Sequence, residues 1–152
     1  MLPITKILLP TDFSEPSYEA LKTANELASH FSAELVLIHV VSTTPVIPPS
    51  PGQTGFHIPG VIRELEDTAK KSLEGMVKEK LRGEIKTRTM VITGNPSDEI
   101  ARVAADEDVN LIVIATHGLS GWRRFIFGSV TDKVAKIASC PVLLVSFPPE
   151  KD

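Results

Sequence analysis

The sequence predicts an α/β protein with a doubly wound, five-stranded parallel sheet and helices on both faces. Five short apolar runs alternate with four segments of helical periodicity. The runs at 33–41 and 111–116 are almost continuously apolar, which is typical of parallel strands that are buried on both faces. The chain has 152 residues, 42% of them hydrophobic and 23% charged, which suits one globular domain over 1–152.

The first half of the chain predicts two strands, two helices and one long connection. The expected elements are strands 6–10 and 33–41 and helices 14–31 and 61–81. Ser14 suits the N-cap of the first helix, and Pro16 suits its first turn. The side chains expected to line one helix face are Ala20, Ala24, Leu27, Ala28 and Phe31 in the first helix, and Ile62, Leu65, Ala69, Leu73, Met76 and Val77 in the second.

The connection 42–60 holds five prolines and three glycines, a density that excludes regular structure. Three interpretations stay open for this loop: a flap over a site, a partner-docking segment or a disordered insertion.

The second half predicts three strands and two helices. The expected elements are strands 85–93, 111–116 and 141–147 and helices 95–109 and 129–139. Strand 85–93 is roughly alternating, like an edge strand, and Ser97 is the expected N-cap of the helix that follows it. Ser129 and Asp132 have the spacing of a capping box at the start of the last helix. The inward side chains expected there are Val130, Val134 and Ile137.

Composition argues against several classes of function. The net charge of −3 is scattered, so a broad nucleic-acid-binding surface is not expected. Cys140 is the single cysteine, expected as a small buried filler, and its isolation fits a reducing compartment. No apolar run approaches the ~20 residues that span a bilayer, and the amino terminus lacks a signal peptide's apolar stretch. We therefore expect a cytoplasmic protein without membrane insertion.

Two predicted strands end in polar or glycine-containing segments, LLPTD and IATHGLSG. If these strands are central neighbours, Asp12 and Gly118 face one crevice beyond their carboxyl ends. The amides at the start of the last helix would attract an anion there. Ser129 could donate to a phosphate, cap its own helix or alternate between the two. The alternative interpretation is a plain turn whose glycines serve its geometry.

The glycines resemble a known signature. Two residues separate Gly118 from Gly121, nine separate Gly118 from Gly128, and Ser129 follows. This arrangement is similar to the G-x2-G-x9-G-[ST] signature of the universal stress protein family. The segments KILLPTDFSEPSYEAL, ELVLIHVV and SCPVLLV resemble the family's first strand and helix, its second strand and its last strand. The resemblance covers nearly the whole chain, and 42–60 falls in the family's variable region.

The resemblance implies an adenine nucleotide alpha hydrolase-like sheet of order 3-2-1-4-5. It also implies ATP or AMP as ligand, with Mg²⁺ accompanying ATP, and a homodimer formed through the last strand near Val142–Val145. The residues that it implies for the nucleotide are Pro10, Thr11 and Asp12 on the adenosine side, Val40 at the adenine, and Gly118, Gly121, Gly128, Ser129, Val130 and Thr131 at the phosphates and ribose. His117 and Arg123, which belong to the same loop, complete the expected set.

Several of these residues have a second interpretation. Asp12 could contact ribose, base or a water-bridged metal, or could cap the first helix. Arg123 and Arg124 could reach phosphates or form a solvated face, and Trp122 could cover the ligand, pack at a subunit contact or lie on the surface. His117 has no acid nearby in sequence to support catalysis.

The other histidines fit ordinary structural roles. His39 is expected to be a core residue with its hydrogen bonds satisfied. His30 and His57 are expected on the surface or in a loop, and the four histidines lack metal-ligand spacing.

We expect a nucleotide-binding module of the stress response or of signalling, whose conformation is read by an unknown protein partner. The alternative is a slow ATP-hydrolysing enzyme that uses the same pocket. A phosphoacceptor receiver domain is excluded, because Asp12 has no clustered acids and Ser146 stands where a lysine would be needed.

Overall fold

The structure, a computed structural model, describes residues 2–43, 59–81, 83–116 and 128–147. These residues form a five-stranded parallel sheet of order β3-β2-β1-β4-β5, which confirms the predicted fold class and strand order. The strands are β1 (Lys6–Pro10), β2 (Glu34–Ser42), β3 (Thr87–Gly94), β4 (Leu111–Ala115) and β5 (Val142–Val145). The helices are α1 (Glu15–Phe31), α2 (Pro59–Lys80), α3 (Pro96–Asp106) and α4 (Ser129–Ile137).

Consecutive residues of the central strands point to opposite faces, and both faces are covered by helices. Ile7 and Leu9 of β1 pack in a cluster with α1 and α2, whereas Leu8 packs in a second cluster with α3 and α4. All three side chains are 0% exposed. This double burial explains why the strand sequence is continuously apolar rather than alternating.

The register places β1 and β4 at the centre of the sheet. Leu8 of β1 pairs with Val36 of β2 on one side and with Ile112 of β4 on the other. The chain winds outward from β1 to β2 and β3, and then returns across β1 to form β4 and β5. The direction of winding therefore reverses between β1 and β4, where α/β sheets of this kind place their ligands.

Most side chains predicted to line the helix faces are buried or half-buried, and three are exposed. Ala20, Ala24 and Ala28 of α1 are 0% exposed, so α1 packs closely on the sheet. Three side chains predicted to face inward are exposed instead: Phe31 by 38%, Leu65 by 50% and Ile137 by 43%. Helical periodicity identifies an apolar stripe but not which of its side chains the neighbouring elements cover.

Two predicted caps are wrong. The N-cap of α3 is Asn95, whose side chain accepts a hydrogen bond from the Asp98 amide at 3.2 Å, whereas Ser97 lies inside the helix. The N-cap of α4 is Gly128, so Ser129 occupies the first helical position and the predicted capping box does not form. The Asp132 carboxylate instead pairs with Lys136 at 2.9 Å, one helical turn further on.

Several boundaries also differ from the prediction. Ser42 extends β2 and Pro59 begins α2, so the irregular connection is shorter than 42–60 at both ends. Residues 44–58 lie outside the described part of the chain. Helix α3 ends at Asp106 because Asp108 turns the chain with a positive φ of 53°. Among the described helices, none is both long and apolar enough to cross a membrane.

Candidate functional site

A cavity of about 190 Å³ lies at the carboxyl ends of the central strands, where the winding reverses. Eight of the twelve predicted site residues line it: Pro10, Thr11, Asp12, Val40, Gly128, Ser129, Val130 and Thr131. They come from the exits of β1 and β2 and from the start of α4. The structure thus brings together three parts of the chain that are distant in sequence.

The other four predicted residues, His117, Gly118, Gly121 and Arg123, lie outside the described residues. The same holds for Trp122, Arg124 and His57.

The spacing of the glycine signature also needs a correction. In the signature, nine residues separate the second glycine from the third. Here nine residues separate Gly118 from Gly128, so Gly118 is the second glycine of the pattern. The first glycine would then stand three residues earlier, where the chain has Ala115. Ala115 ends β4, is 6% exposed and lines the cavity. Gly121 is therefore an additional glycine inside the spacer rather than a member of the signature.

Asp12 follows β1 and is held by the next turn. Its Oδ1 atom accepts hydrogen bonds from the Ser14 amide, at 3.0 Å, and from the Ser14 hydroxyl. The cap position of α1 belongs to Ser14, so Asp12 is not the helix cap that one interpretation of the sequence proposed. Asp12 is half-buried and lines the cavity.

Thr11 uses its polar groups to hold the protein's own chain. Its hydroxyl donates to the Ser17 hydroxyl at 2.9 Å and accepts from the Phe13 amide at 3.0 Å. Its amide donates to the Ile38 carbonyl at 2.9 Å, which continues the β1–β2 pairing by one residue. Thr11 therefore fixes the exit of β1 beside β2.

The start of α4 offers amides to the cavity. The Gly128 amide donates to the Thr116 carbonyl and the Asp132 amide donates to the Gly128 carbonyl, both at 2.9 Å. The amides of Ser129, Val130 and Thr131 precede the first hydrogen bond within the helix, so they have no intrahelical acceptor. Together with the helix dipole, such amides favour an anion.

The Thr131 side chain fastens α4 to the sheet. Its hydroxyl donates to the Ala115 carbonyl at 2.8 Å, and the residue is 5% exposed. Because this donor is already used, Thr131 can contribute its main chain to a ligand, but its hydroxyl proton is committed to β4.

His39 lines the cavity although the sequence did not predict it as a site residue, and Phe13 packs against its ring. His39 Nδ1 donates to the Thr11 carbonyl at 2.8 Å, and its ring lies 4.7 Å from that of Phe13. His39 is satisfied, as predicted, but it is half-buried and lines the cavity rather than the core. Its position directly before Val40, near the carboxyl end of β2, could have indicated that it lies at the site.

Helix α3 supplies an unpredicted apolar wall. Pro96 and Ile100, one turn apart, line the cavity opposite the strand exits. The Ser97 hydroxyl donates to Asn95 Oδ1 at 2.9 Å, which supports the turn that carries Pro96. The helix that follows β3 begins at the carboxyl ends of the strands, which is the end of the sheet where the cavity lies. The topology could therefore have indicated these residues.

The lining is mostly apolar, with few charges. Among the described lining residues, Asp12 is the only carboxylate, and there is no lysine or arginine. No group of three or more His, Cys, Asp or Glu side chains in the described ranges is arranged to hold a metal ion. Next to the cavity, Asp98 of α3 and Lys133 of α4 form a 2.9 Å ion pair between the two helices.

Two residues lie away from the site. His30 is exposed, as predicted. Cys140, predicted as a buried filler, is half-buried and packs with the α3–α4 cluster, and burial raises the pKa of its thiol.

Comparisons with known proteins agree with this architecture. A model of the universal stress protein family matches residues 3–146. Universal stress protein MJ0531 of Methanocaldococcus jannaschii is 37% identical over 144 residues, covering 94% of this chain and 82% of that protein. The solved structure of MJ0577 superimposes with a TM-score of 0.84 at 30% identity, covering 97% of this chain and 99% of that chain. The universal stress protein UspA from Lactobacillus plantarum superimposes with a TM-score of 0.76 at 25% identity, covering 93% and 97%.

Proposed function

We propose that this chain, which belongs to the universal stress protein family, is an adenine-nucleotide-binding module of the stress response. ATP or AMP would occupy the cavity at the carboxyl ends of β1 and β4. The observation that supports this proposal most strongly is that eight residues which the family resemblance implied for the nucleotide line one cavity.

The two ends of the cavity suit the two ends of a nucleotide. Ile38, Ile100 and Ile114 provide an apolar region suited to a base, and the main chain of Val40 would meet the adenine there. Pro10, Thr11 and Asp12 would line the adenosine side. The phosphates would lie at the free amides of Ser129, Val130 and Thr131, where the helix dipole favours negative charge.

The predicted loop residues would complete the phosphate end. Gly118 and Gly121 would allow the main chain to approach phosphate oxygens, and Arg123 would supply the positive charge that the described lining lacks. His117 would border the same group. Mg²⁺ would enter with ATP, held mainly by the phosphates.

Nucleotide binding would act through conformation. The cavity is bounded by α3 and α4, whose starts are joined by the Asp98–Lys133 pair, so a ligand between them contacts both helices. A ligand that binds one arrangement of these helices more tightly would shift the population toward it, and a protein partner would recognise the result. We place this activity in the cytoplasm.

A homodimer through β5 is part of the proposal. Strand β5 is an edge of the sheet, paired only with β4 among the described strands, and Leu143 is 39% exposed on it. Apolar edge strands are templates for pairing with a second chain.

Calorimetric titration tests the nucleotide proposal. ATP and AMP should bind saturably with one site per chain, whereas GTP, which carries a different base, should bind more weakly. The absence of binding by both adenine nucleotides would refute the proposal. A turnover assay with ATP and Mg²⁺ separates a binding module from an enzyme: rates near ~10 s⁻¹, the median of typical enzymes, would favour the enzyme.

A further inference from the structure

Ser14 has the backbone conformation of a helix N-cap, but its side chain does not make the hydrogen bond of an N-cap. It precedes α1 with φ −76° and ψ 161°, the extended conformation of an N-cap residue, but its side chain makes no capping hydrogen bond. A serine in this position ordinarily accepts a bond from an amide of the first turn and so stabilises the helix. Here the hydroxyl donates to Asp12 Oδ1 instead, and the Ser14 amide donates to the same oxygen at 3.0 Å.

Ser14 cannot contact a ligand itself. It is 5% exposed and is not among the residues that line the cavity, whereas Asp12 lines it. The Ser14 hydroxyl reaches the site through the Asp12 carboxylate, whereas the Ser14 carbonyl accepts from Ser17, which also lines the cavity.

The backbone of Ser14 is fixed from the opposite side. The Ser17 hydroxyl donates to the Ser14 carbonyl at 2.7 Å and accepts from the Thr11 hydroxyl at 2.9 Å. Between Asp12 and Ser14 in the chain, Phe13 has a φ of 64°, a left-handed conformation that bulky side chains rarely adopt. The turn that carries Asp12 therefore combines an unfavourable conformation at Phe13 with a helix that lacks a side-chain cap bond.

We propose that Ser14 is a positioning residue, whose hydroxyl orients the Asp12 carboxylate for a nucleotide before the ligand arrives. The inference rests on the proposed function and extends it to a residue outside the cavity. A carboxylate that is already oriented loses less conformational freedom on binding, so affinity rises without a new contact.

The test compares AMP affinity and thermal stability in matched variants. Ser14→Ala should weaken AMP binding by up to about tenfold, the size expected when one side chain must be ordered on binding rather than before it. Its melting temperature should fall by no more than a few degrees, because the bond to Asp12 is also lost from the free protein while no cap bond is lost. Ser14→Thr keeps the hydroxyl and should restore affinity to within about twofold. Thr23→Ala removes another α1 hydroxyl, which bonds only within the helix at 3.4 Å, and should change neither quantity.

A double-mutant cycle identifies the route of the effect. In an Asp12→Ala background, Ser14→Ala should have no further effect on AMP affinity. If Ser14→Ala fails to fold, Ser14→Gly removes the same hydroxyl, suits an N-cap, and should show the same loss of affinity.

The outcomes separate this inference from the proposed function. If the unchanged protein binds neither AMP nor ATP, the proposed function fails and the inference fails with it. If the unchanged protein binds and Ser14→Ala binds equally well, only the inference is overturned. An equal loss of affinity in the Asp12→Ala background would also overturn it, because Ser14 would then act without Asp12.

Discussion

At the scale of single residues, the hydroxyl groups around the cavity hold the protein's own chain. Thr11 bonds Ser17, and Thr131 bonds the Ala115 carbonyl. Both threonines were predicted to face a nucleotide, and both line the cavity. Their hydroxyl protons are committed to structure, so we expect their main chains to make any contact with a ligand.

Replacing Thr131 by valine should destabilise the protein. Thr131→Val keeps the shape of the side chain but removes the donor to the Ala115 carbonyl, a buried bond of 2.8 Å. The free energy of unfolding, measured in urea, should fall by about 1–3 kcal/mol, the cost of a buried acceptor left without its donor. Thr131→Ser retains the donor and should lose less. Equal stability of Thr131→Val and the unchanged protein would contradict this role.

Gly128 lines the cavity, and the fold does not require a glycine there. Its φ of −60° suits any residue, and a Cβ there would meet only the Thr116 carbonyl oxygen, at an ordinary 3.7 Å. Gly128→Ala should therefore change the unfolding free energy by less than about 1 kcal/mol. It should lower AMP affinity at least fivefold, because the methyl group would occupy space in the cavity.

Gly75→Ala is the control for Gly128→Ala. Gly75 lies inside α2 with open space around it, so alanine should raise stability by about 0.5–1 kcal/mol and leave AMP affinity unchanged. Unchanged AMP affinity in Gly128→Ala would show that the start of α4 does not contact the ligand.

Sequence patterns predicted which residues surround the cavity better than they predicted hydrogen-bond partners. Asp12 was assigned from its strand exit and Val40 from the family resemblance, and the strand order brings them together. Ser97 and Ser129 were assigned as caps, but both caps lie upstream, at Asn95 and Gly128. Serine, asparagine and glycine all suit an N-cap, so composition could not choose between neighbouring positions.

At the scale of elements, salt bridges and hydrogen bonds connect the amino-terminal ends of the strands, at the opposite end of the sheet from the cavity. Arg88 of β3 donates to Glu34 of β2, at 3.1 Å, and to Glu107, which follows α3. Lys6 of β1 donates to the Glu107 carbonyl at 2.9 Å. These contacts join three strands and a helix at the amino ends of the strands, away from the carboxyl ends that form the site.

This cluster predicts a pH dependence of stability. The hydrogen bond from Arg88 holds the pKa of Glu107 below its ordinary 4.5. Because the pKa of Glu107 is lower in the folded state than in the unfolded state, its ionised form stabilises the fold at pH values above the unfolded-state pKa. This stabilisation is lost as the pH falls through the folded-state pKa. Between about pH 6 and pH 3, the unchanged protein should therefore lose more unfolding free energy than Arg88→Gln. Parallel pH profiles in urea unfolding would show that the pair contributes nothing.

Periodicity predicted the helices but not how far the sheet covers them. Phe31, Leu65 and Ile137 continue their apolar stripes, yet they are exposed, because periodicity does not show which part of a stripe the neighbouring elements cover. His39, Pro96 and Ile100 were missed for a related reason. Each joins the site through the relative placement of β2 and α3, which a local pattern does not contain.

At the scale of the whole molecule, the edge strand β5 predicts self-association. Leu143 is 39% exposed there, and a second β5 could pair with the side of β5 that no described strand covers. Sedimentation velocity at roughly 100 μM, a concentration at which moderate interfaces are populated, should show a dimer. Leu143→Lys should shift the protein to monomer, because a charge on an edge strand opposes pairing. A monomer in the unchanged protein would refute the shared edge.

The central claim is that an adenine nucleotide binds at the exits of β1 and β2 and at the start of α4. An ¹⁵N–¹H nuclear magnetic resonance titration with AMP tests both binding and location. If AMP binds there, the amide signals of Val40, Ser129, Val130 and Thr131 should shift saturably. The amide signal of Arg88, at the opposite end of the sheet, should change little. Shifts that do not saturate, or that are confined to residues away from the cavity, would contradict the claim.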